Sequence, residues 1–262
     1  IALVAAGSHV LVEKPLALTA KDARKILVIA SHHQRLLQIG YNLRFLESLE
    51  KFGELIQSRI IGNVLSVRSE VGQYLPTWRP ETDYRHGVSA QKNLGGGVLL
   101  ELSHEIDYLQ WIFGRIDWVS AWTGQQSSLD IDVEDSAHLL LGFLSNTLGH
   151  RLVCTVNMDF IRHDRTRLCT AIGERGSLRW NAVTGEVERL MAGEDEWMLL
   201  HKFALHRDDT YRRQWQHFMD CINNDTSPVV SASDGLAVLH IIDAVHQSAF
   251  MSGCRVAVEN DQ

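Results

Sequence analysis

Two side chains have surroundings in the sequence that suit proton chemistry, Lys14 and His104. Lys14 closes the run Val10-Leu11-Val12-Glu13-Lys14-Pro15, a short apolar stretch bounded by Gly7-Ser8 and a proline. Such a run reads as a buried parallel strand, and polar groups at its carboxyl end fall where α/β proteins bind ligands. Pro15 has a fixed φ and restricts Lys14, so the amine is held in a defined direction. Desolvation would lower its pKa from about 10.4, letting it donate to a substrate hydroxyl or share its proton. An isolated lysine at a strand end is more often simply solvated, and the run alone leaves that reading open.

The second group follows Leu94-Gly95-Gly96-Gly97. A helix over Val98 to Phe113, closed by Gly114, presents Glu101, His104, Asp107 and Tyr108 on one broad face. A histidine with a pKa near ~6.5 flanked by carboxylates is the simplest general acid/base at neutral pH. A surface helix of mixed charge has the same pattern. His104-Glu105-Ile106-Asp107-Tyr108 is not H-E-x-x-H, because Tyr108 takes the fifth place. His32-His33, and His201 with His206, lack a matching carboxylate or cysteine pattern, so no metal site is predicted. No G-x-S-x-G or Walker A sequence occurs.

The elements that must hold these residues can be read in chain order. Ile1 to Gly7 reads as the end of a helix with a C-cap glycine. Val10 to Val12 is a strand, Ala20 to about His33 a helix capped by Thr19, and Leu36 to Gly40 a second short strand. Together they make a βαβ unit with a right-handed crossover. A helix from Leu46 to Arg59 leads to alternation from Val64 to Tyr74, a half-exposed strand. The change from βαβ to antiparallel character places a domain boundary between Phe45 and Gly62, giving units 1–45 and 46–262.

Trp78 to Asn93 is expected to be a long loop. Strands are expected at Ile116–Gln125, Ser136–Leu144, Leu148–Phe160, Arg167–Ile172, Ser177–Ala182 and Glu186–Met191. Two helices close the chain. Asp209 to Asn223 would bury Tyr211, Trp215, Phe218, Met219 and Ile222; Asp234 to Met251, capped by Ser233, would bury Leu236, Leu239, Ile242, Val245 and Ala249.

With 262 residues, 45% apolar and 22% charged, the chain can bury a sizeable core. The net charge of -7 argues against a nucleic-acid partner. No apolar run approaches the ~20 residues of a membrane span. Cys154, Cys169, Cys221 and Cys254 lie far apart and suggest neither a zinc ribbon nor a disulfide framework, so a reducing cytoplasm is the expected compartment.

Taken together, four segments resemble the Gfo/Idh/MocA oxidoreductases. They are His9-Val10-Leu11-Val12-Glu13-Lys14-Pro15-Leu16-Ala17, Gly40-Tyr41-Asn42-Leu43-Arg44-Phe45, Gly95-Gly96-Gly97 through His104-Glu105-Ile106-Asp107, and Ser233-Asp234-Gly235-Leu236-Ala237-Val238-Leu239. They follow the family's order across almost the whole chain. The resemblance implies an α/β protein in which the C-terminal remnant of a Rossmann domain precedes an α+β domain with a large, open, mostly antiparallel sheet. It implies NAD or NADP as cofactor, a sugar, polyol or nucleotide-sugar as substrate, and a homo-oligomer formed through the open sheet. By position, Lys14 would orient the substrate hydroxyl and Glu13 would lie near the nicotinamide ribose. His104 would be the acid/base, and Asp107 would support it or touch substrate. Asn42 and Arg44 would line the cofactor, and Tyr41, Trp78, Arg79 and Tyr108 the substrate.

Two departures accompany the resemblance. Leu100 occupies the place four residues before the histidine where many members have an aspartate, with Glu101 one residue closer and able to replace it. The family's G-x-G-x-x-G turn precedes its Glu-Lys-Pro strand, whereas here a helix end does. That predicts a piece of a longer protein, short of two βαβ units or roughly 60 residues, that binds cofactor poorly alone. The alternative is a non-catalytic sugar-binding or assembly protein that keeps the open-sheet domain.

Overall fold

A turn of helix α1 (Ala2–Ala5) leads into β1 (Val10–Val12), and α2 (Ala20–His33) carries the chain back to β2 (Leu37–Ile39). The structure is a computed structural model and describes residues 1–144, 151–204, 206 and 208–259. β1 and β2 pair in parallel, Val10 opposite Leu37 and Val12 opposite Ile39. Thr19 caps α2: its hydroxyl accepts from the Asp22 amide at 3.2 Å, satisfying one of the orphan donors of the first turn. The helix buries Ala23 and Ala30 and ends at Gln34 in the left-handed region. The outer edge of β2 is closed from the other end of the chain, where the Ile39 amide donates to the Val230 carbonyl and Gln38 bridges to Ser231.

A 3₁₀ turn over Asn42–Phe45 precedes the expected helix, which is α3 over Glu47–Gln57. Leu49, Phe52 and Ile56 form its buried stripe at three- and four-residue spacing. After β3 (Val64–Gly72) comes a 3₁₀ turn at Leu75–Thr77, and the loop expected from Trp78 carries further short 3₁₀ turns at Tyr84–His86, Val88–Ala90 and Lys92–Leu94. The single helix expected over Val98 to Phe113 is two: α4 (Val98–Glu101) and α5 (His104–Phe113), broken at Leu102 and Ser103. β4 (Ile116–Gly124), β5 (Ser136–Phe143), β6 (Val153–Asp159), β7 (Thr166–Gly173), β8 (Gly176–Asn181) and β9 (Glu186–Met191) follow. The first residues of the strand expected from Leu148 lie outside the described residues.

Two strands had no clear pattern in the sequence. β10 (Met198–Lys202) is an edge strand without alternation, and β11 (Val256–Ala257) is two residues long. One sheet takes all but the first two strands, in the order β10-β9-β8-β7-β3-β6-β5-β4-β11, parallel between β3 and β6 and antiparallel elsewhere. One face buries Val67, Leu139, Val156, Ala171 and Trp180 under α3, α5 and α7 (Ala232–Phe250). The opposite face leaves Trp122, Leu140, Arg68 and Thr155 exposed, the alternation of a sheet packed on one side.

Both closing helices depart from expectation in detail. α6 (Asp209–Asn224) buries Gln214, Phe218 and Cys221, while Tyr211 and Trp215 remain 51% and 55% exposed. Its contact is the narrow 3₁₀ turn after β2, where Asn42 donates to the Thr210 hydroxyl and Arg213 to the Phe45 carbonyl; that surface covers only one side of the aromatic stripe. The cap of α7 is Ser231 rather than Ser233, because Ser231 and Asp234 close a reciprocal capping box. Among the described residues no helix is long and apolar enough to cross a membrane.

Candidate active site

The helix break positions the lysine. Gly97, at φ 106°, admits the Glu134 carboxylate, on which any β-carbon at that position would fall. Glu134 holds the start of α4 twice: its carbonyl accepts from the Val98 amide and its carboxylate from the Leu99 amide, both at 3.1 Å. α4 lasts one turn. The Glu105 amide then bonds the Leu102 carbonyl, leaving the Glu101 carbonyl outside the helical ladder. Lys14 Nζ, from the end of β1, donates to that carbonyl at 2.6 Å and stands 3.7 Å from Glu101 Oε1. Burial lowers the Lys14 pKa; Glu101 opposes the shift and Arg167 adds to it.

His104 opens α5, close enough to Lys14 for the lysine charge to act on it. The Tyr41 ring meets it edge-on at 5.5 Å, and the Tyr41 hydroxyl donates to Ser103 Oγ, which donates to the Leu100 carbonyl. His104 Nδ1 is buried without a hydrogen-bond partner among the described residues. Burial, then Lys14 and Arg167, hold the imidazole well below its ordinary pKa. It is therefore neutral at physiological pH and able to accept a proton.

Three expected residues are engaged inside the protein. Asp107, which the sequence offered as support for His104, turns away into a bidentate pair with Arg44 at 2.6 and 3.0 Å. Burial raises its pKa to about 6, with Arg44 opposing. Arg44 in turn binds Asp234 and the Val229 carbonyl, both at 3.1 Å, so a guanidinium expected beside a cofactor is engaged inside the protein. Tyr108 is also no rim residue: it is fully buried, shares a 2.7 Å hydrogen bond with Ser69 and packs edge-on against Trp180.

The other candidates are more scattered. Tyr41 is wholly buried, so it can support His104 but cannot line an open substrate pocket. Asn42 is nearly buried and donates to Thr210. Trp78 packs on Phe160 and donates to the Gln73 carbonyl, and Arg79 is exposed beside it; no hydrogen bond joins either to Lys14 or His104. Glu13 is exposed at the carboxyl end of β1, its carboxylate against Gly40. A surface cavity of about 870 Å³ opens elsewhere, between α2 and the end of α6, and contains none of these residues.

The sequence reading missed Glu134, Glu105 and Arg167. Arg167 Nε donates to Glu105 Oε1 at 2.7 Å, and Glu105 is completely buried. A signal for Arg167 was present: it shares the strand parity of Cys169 and Ala171, placing a charge on the apolar side of β7. Among the described residues no group of histidine, cysteine and carboxylate side chains could hold a metal ion.

Residues 53–258 match the model of an oxidoreductase family's C-terminal alpha/beta domain, and residues 1–41 match that family's NAD-binding Rossmann fold. An uncharacterized oxidoreductase of Synechocystis is 26% identical over 73% of this chain, which spans half the length of that protein. Inositol 2-dehydrogenase of Salmonella typhimurium is 24% identical over 95% of this chain and 70% of its own length. Among solved structures, levoglucosan dehydrogenase in complex with NADH superposes with a TM-score of 0.84 at 20% identity, covering 99% of this chain and 76% of that one.

Proposed function

This chain belongs to the Gfo/Idh/MocA oxidoreductase family, and from that premise we propose that it carries the substrate-binding and proton-transfer part of an NAD- or NADP-dependent dehydrogenase acting on a sugar or polyol hydroxyl, or on the corresponding carbonyl. The observation behind this reading is the pairing of a buried lysine, anchored on a helix-break carbonyl, with a histidine kept neutral by burial. Glu13 and Lys14 stand at the carboxyl ends of parallel strands, the position at which α/β sheets receive nucleotides. The exposed Glu13 carboxylate fits the hydroxyls of a nicotinamide ribose, as acceptor. Bound nicotinamide would supply the hydride acceptor or donor.

Lys14 does the orienting. One N–H of its ammonium is fixed on the Glu101 carbonyl, so the remaining donors are aimed as a rigid group at a substrate hydroxyl and stabilise negative charge growing on that oxygen. His104 takes the hydroxyl proton in the oxidising direction and returns it in the reducing one. The Glu101 carboxylate takes the part of the aspartate replaced by Leu100, as the charge partner of Lys14. Tyr41 and Ser103 brace the imidazole from behind. A non-catalytic sugar-binding or assembly role gains nothing from such a pair.

We place the join between units 1–45 and 46–262, a division compatible with the family matches over 1–41 and 53–258. The exposed sheet face with Trp122 and Leu140 is our candidate for self-association. The test of function is hydride transfer followed by NADH absorbance in the natively produced protein, with inositol and simple aldoses as substrates. Lys14→Met and His104→Ala should each lower kcat by roughly 10²- to 10⁴-fold; unchanged rates in both reject the assignment.

A further inference from the structure

Arg167 has no part in the chemistry above, yet its charge acts on both Lys14 and His104. Its side chain leaves the first residues of β7 and is 23% exposed, against complete burial of its partner Glu105. The single bond from Nε to Glu105 Oε1 fixes the guanidinium plane, while the other carboxylate oxygen, Oε2, is buried without a partner among the described residues. No described acceptor bonds the two terminal nitrogens, so the remaining four N–H donors of the fork stay available.

An ion pair with one fully buried member is an expensive way to fill space, since apolar side chains of similar volume are often as stable or more so. A second cation near Lys14 also disfavours the lysine charge, adding to the effect of burial, and the Glu101 carboxylate is engaged in opposing it. A neutral polyol would leave both features without use. A carboxylate would engage the planar fork in a bidentate pair and ease the repulsion between the two cations.

We propose that Arg167, braced by Glu105, is a specificity-determining residue that binds a carboxylate on the substrate, so that the preferred substrates are acidic sugars or polyols. The inference rests on the dehydrogenase reading of this site. It has a signature that a merely structural ion pair lacks. The groups facing His104 are Tyr41 from beyond β2, Lys14 from β1 and Arg167 from β7, so a carboxylate bound to Arg167 adds a negative charge close to the imidazole and raises its pKa.

The test is binding of D-glucuronate and D-glucose at low ionic strength, with saturating NADH and again without it, by calorimetry and by the NMR signal of the His104 ring. Glucuronate should bind at least about tenfold more tightly than glucose, the factor one charge-assisted hydrogen bond supplies, and should shift the His104 titration upward. Arg167→Met should abolish the preference and Arg167→Lys should retain part of it, as a point charge without the fork. Equal affinities in the unmodified protein overturn the proposal, as does a preference that survives Arg167→Met. Should Arg167→Met not fold, the lysine variant and the comparison of the two sugars decide alone. If neither sugar perturbs His104, the dehydrogenase reading fails and takes the proposal with it; two sugars bound without preference overturn the proposal alone.

Discussion

His104 and Asp107 stand one helical turn apart on α5, yet the polar clusters around them are built to opposite rules. Around Asp107 the bonds are closed: both oxygens accept from Arg44, and Arg44 reaches on to Asp234 and the Val229 carbonyl. The cluster ties the turn after β2 to α5 and to the start of α7. Around His104 bonds are open: its Nδ1 and Glu105 Oε2 are buried without partners among the described residues, and Lys14 binds a carbonyl that a continuous helix would have used itself. A satisfied buried network specifies a structure, whereas an unsatisfied one is retained against its own desolvation cost. The closed cluster reads as an anchor, the open one as the place for a ligand.

The comparison breaks most directly at Asp107. Asp107→Ala leaves Arg44 buried with its bidentate partner gone and should destabilise the protein by about 3–5 kcal/mol, measured by urea denaturation. Lys14→Met, which removes a charge from a half-open site, should change stability by roughly 1 kcal/mol or less. Equal losses in the two variants would erase the distinction between anchor and site. A smaller effect is expected at Glu134, which belongs to neither cluster but holds the start of α4, the short helix ahead of the break. Glu134→Ala removes the acceptor of the Leu99 amide and should cost about 1 kcal/mol, as lost caps do. It should also loosen the contact of Lys14 with Glu101, visible as a changed Lys14 ammonium signal by NMR, while leaving the Arg44 cluster intact.

Much of the fold was legible because its signals are local. Thr19 before an alanine-rich stripe, alternation along β3, and glycine turns between β7, β8 and β9 each report on their own few residues. The break between α4 and α5 was not legible, since apolar spacing runs on through Leu102 and the partners of α4, Glu134 and Lys14, come from the loop before β5 and the turn after β1. For the same reason Lys14 and His104 could be singled out by residue type, but the capture of Asp107 by Arg44 could not; a helix face of mixed charge does not say which carboxylate turns inward. The aromatic stripe of α6 shows a similar limit: periodicity gives the face, and the narrow surface beneath decides how much of it is covered. Ser231-Ala232-Ser233-Asp234 carried a readable capping box, which the nearer serine obscured.

The two clusters should also answer acid with opposite signs, the smallest effect and the most specific. Burial, with Lys14 and Arg167, depresses the His104 pKa, so on acidification below about pH 6.5 the unfolded chain takes up a proton that the folded one refuses. Stability contributed at this residue therefore falls as pH drops through that window. Asp107 behaves the other way: its folded pKa is about 6 against an ordinary 3.8, so between those values the folded chain holds the proton and the unfolded chain does not, and its contribution rises as pH falls. Urea unfolding at about pH 7 and about pH 5 separates the two. His104→Gln should lessen the loss of stability on acidification, and Asp107→Asn should deepen it, whatever either substitution does to stability at neutral pH. A pH dependence unchanged in His104→Gln would mean that the imidazole titrates normally in the folded protein, and with that the neutral base of the proposed site would be lost.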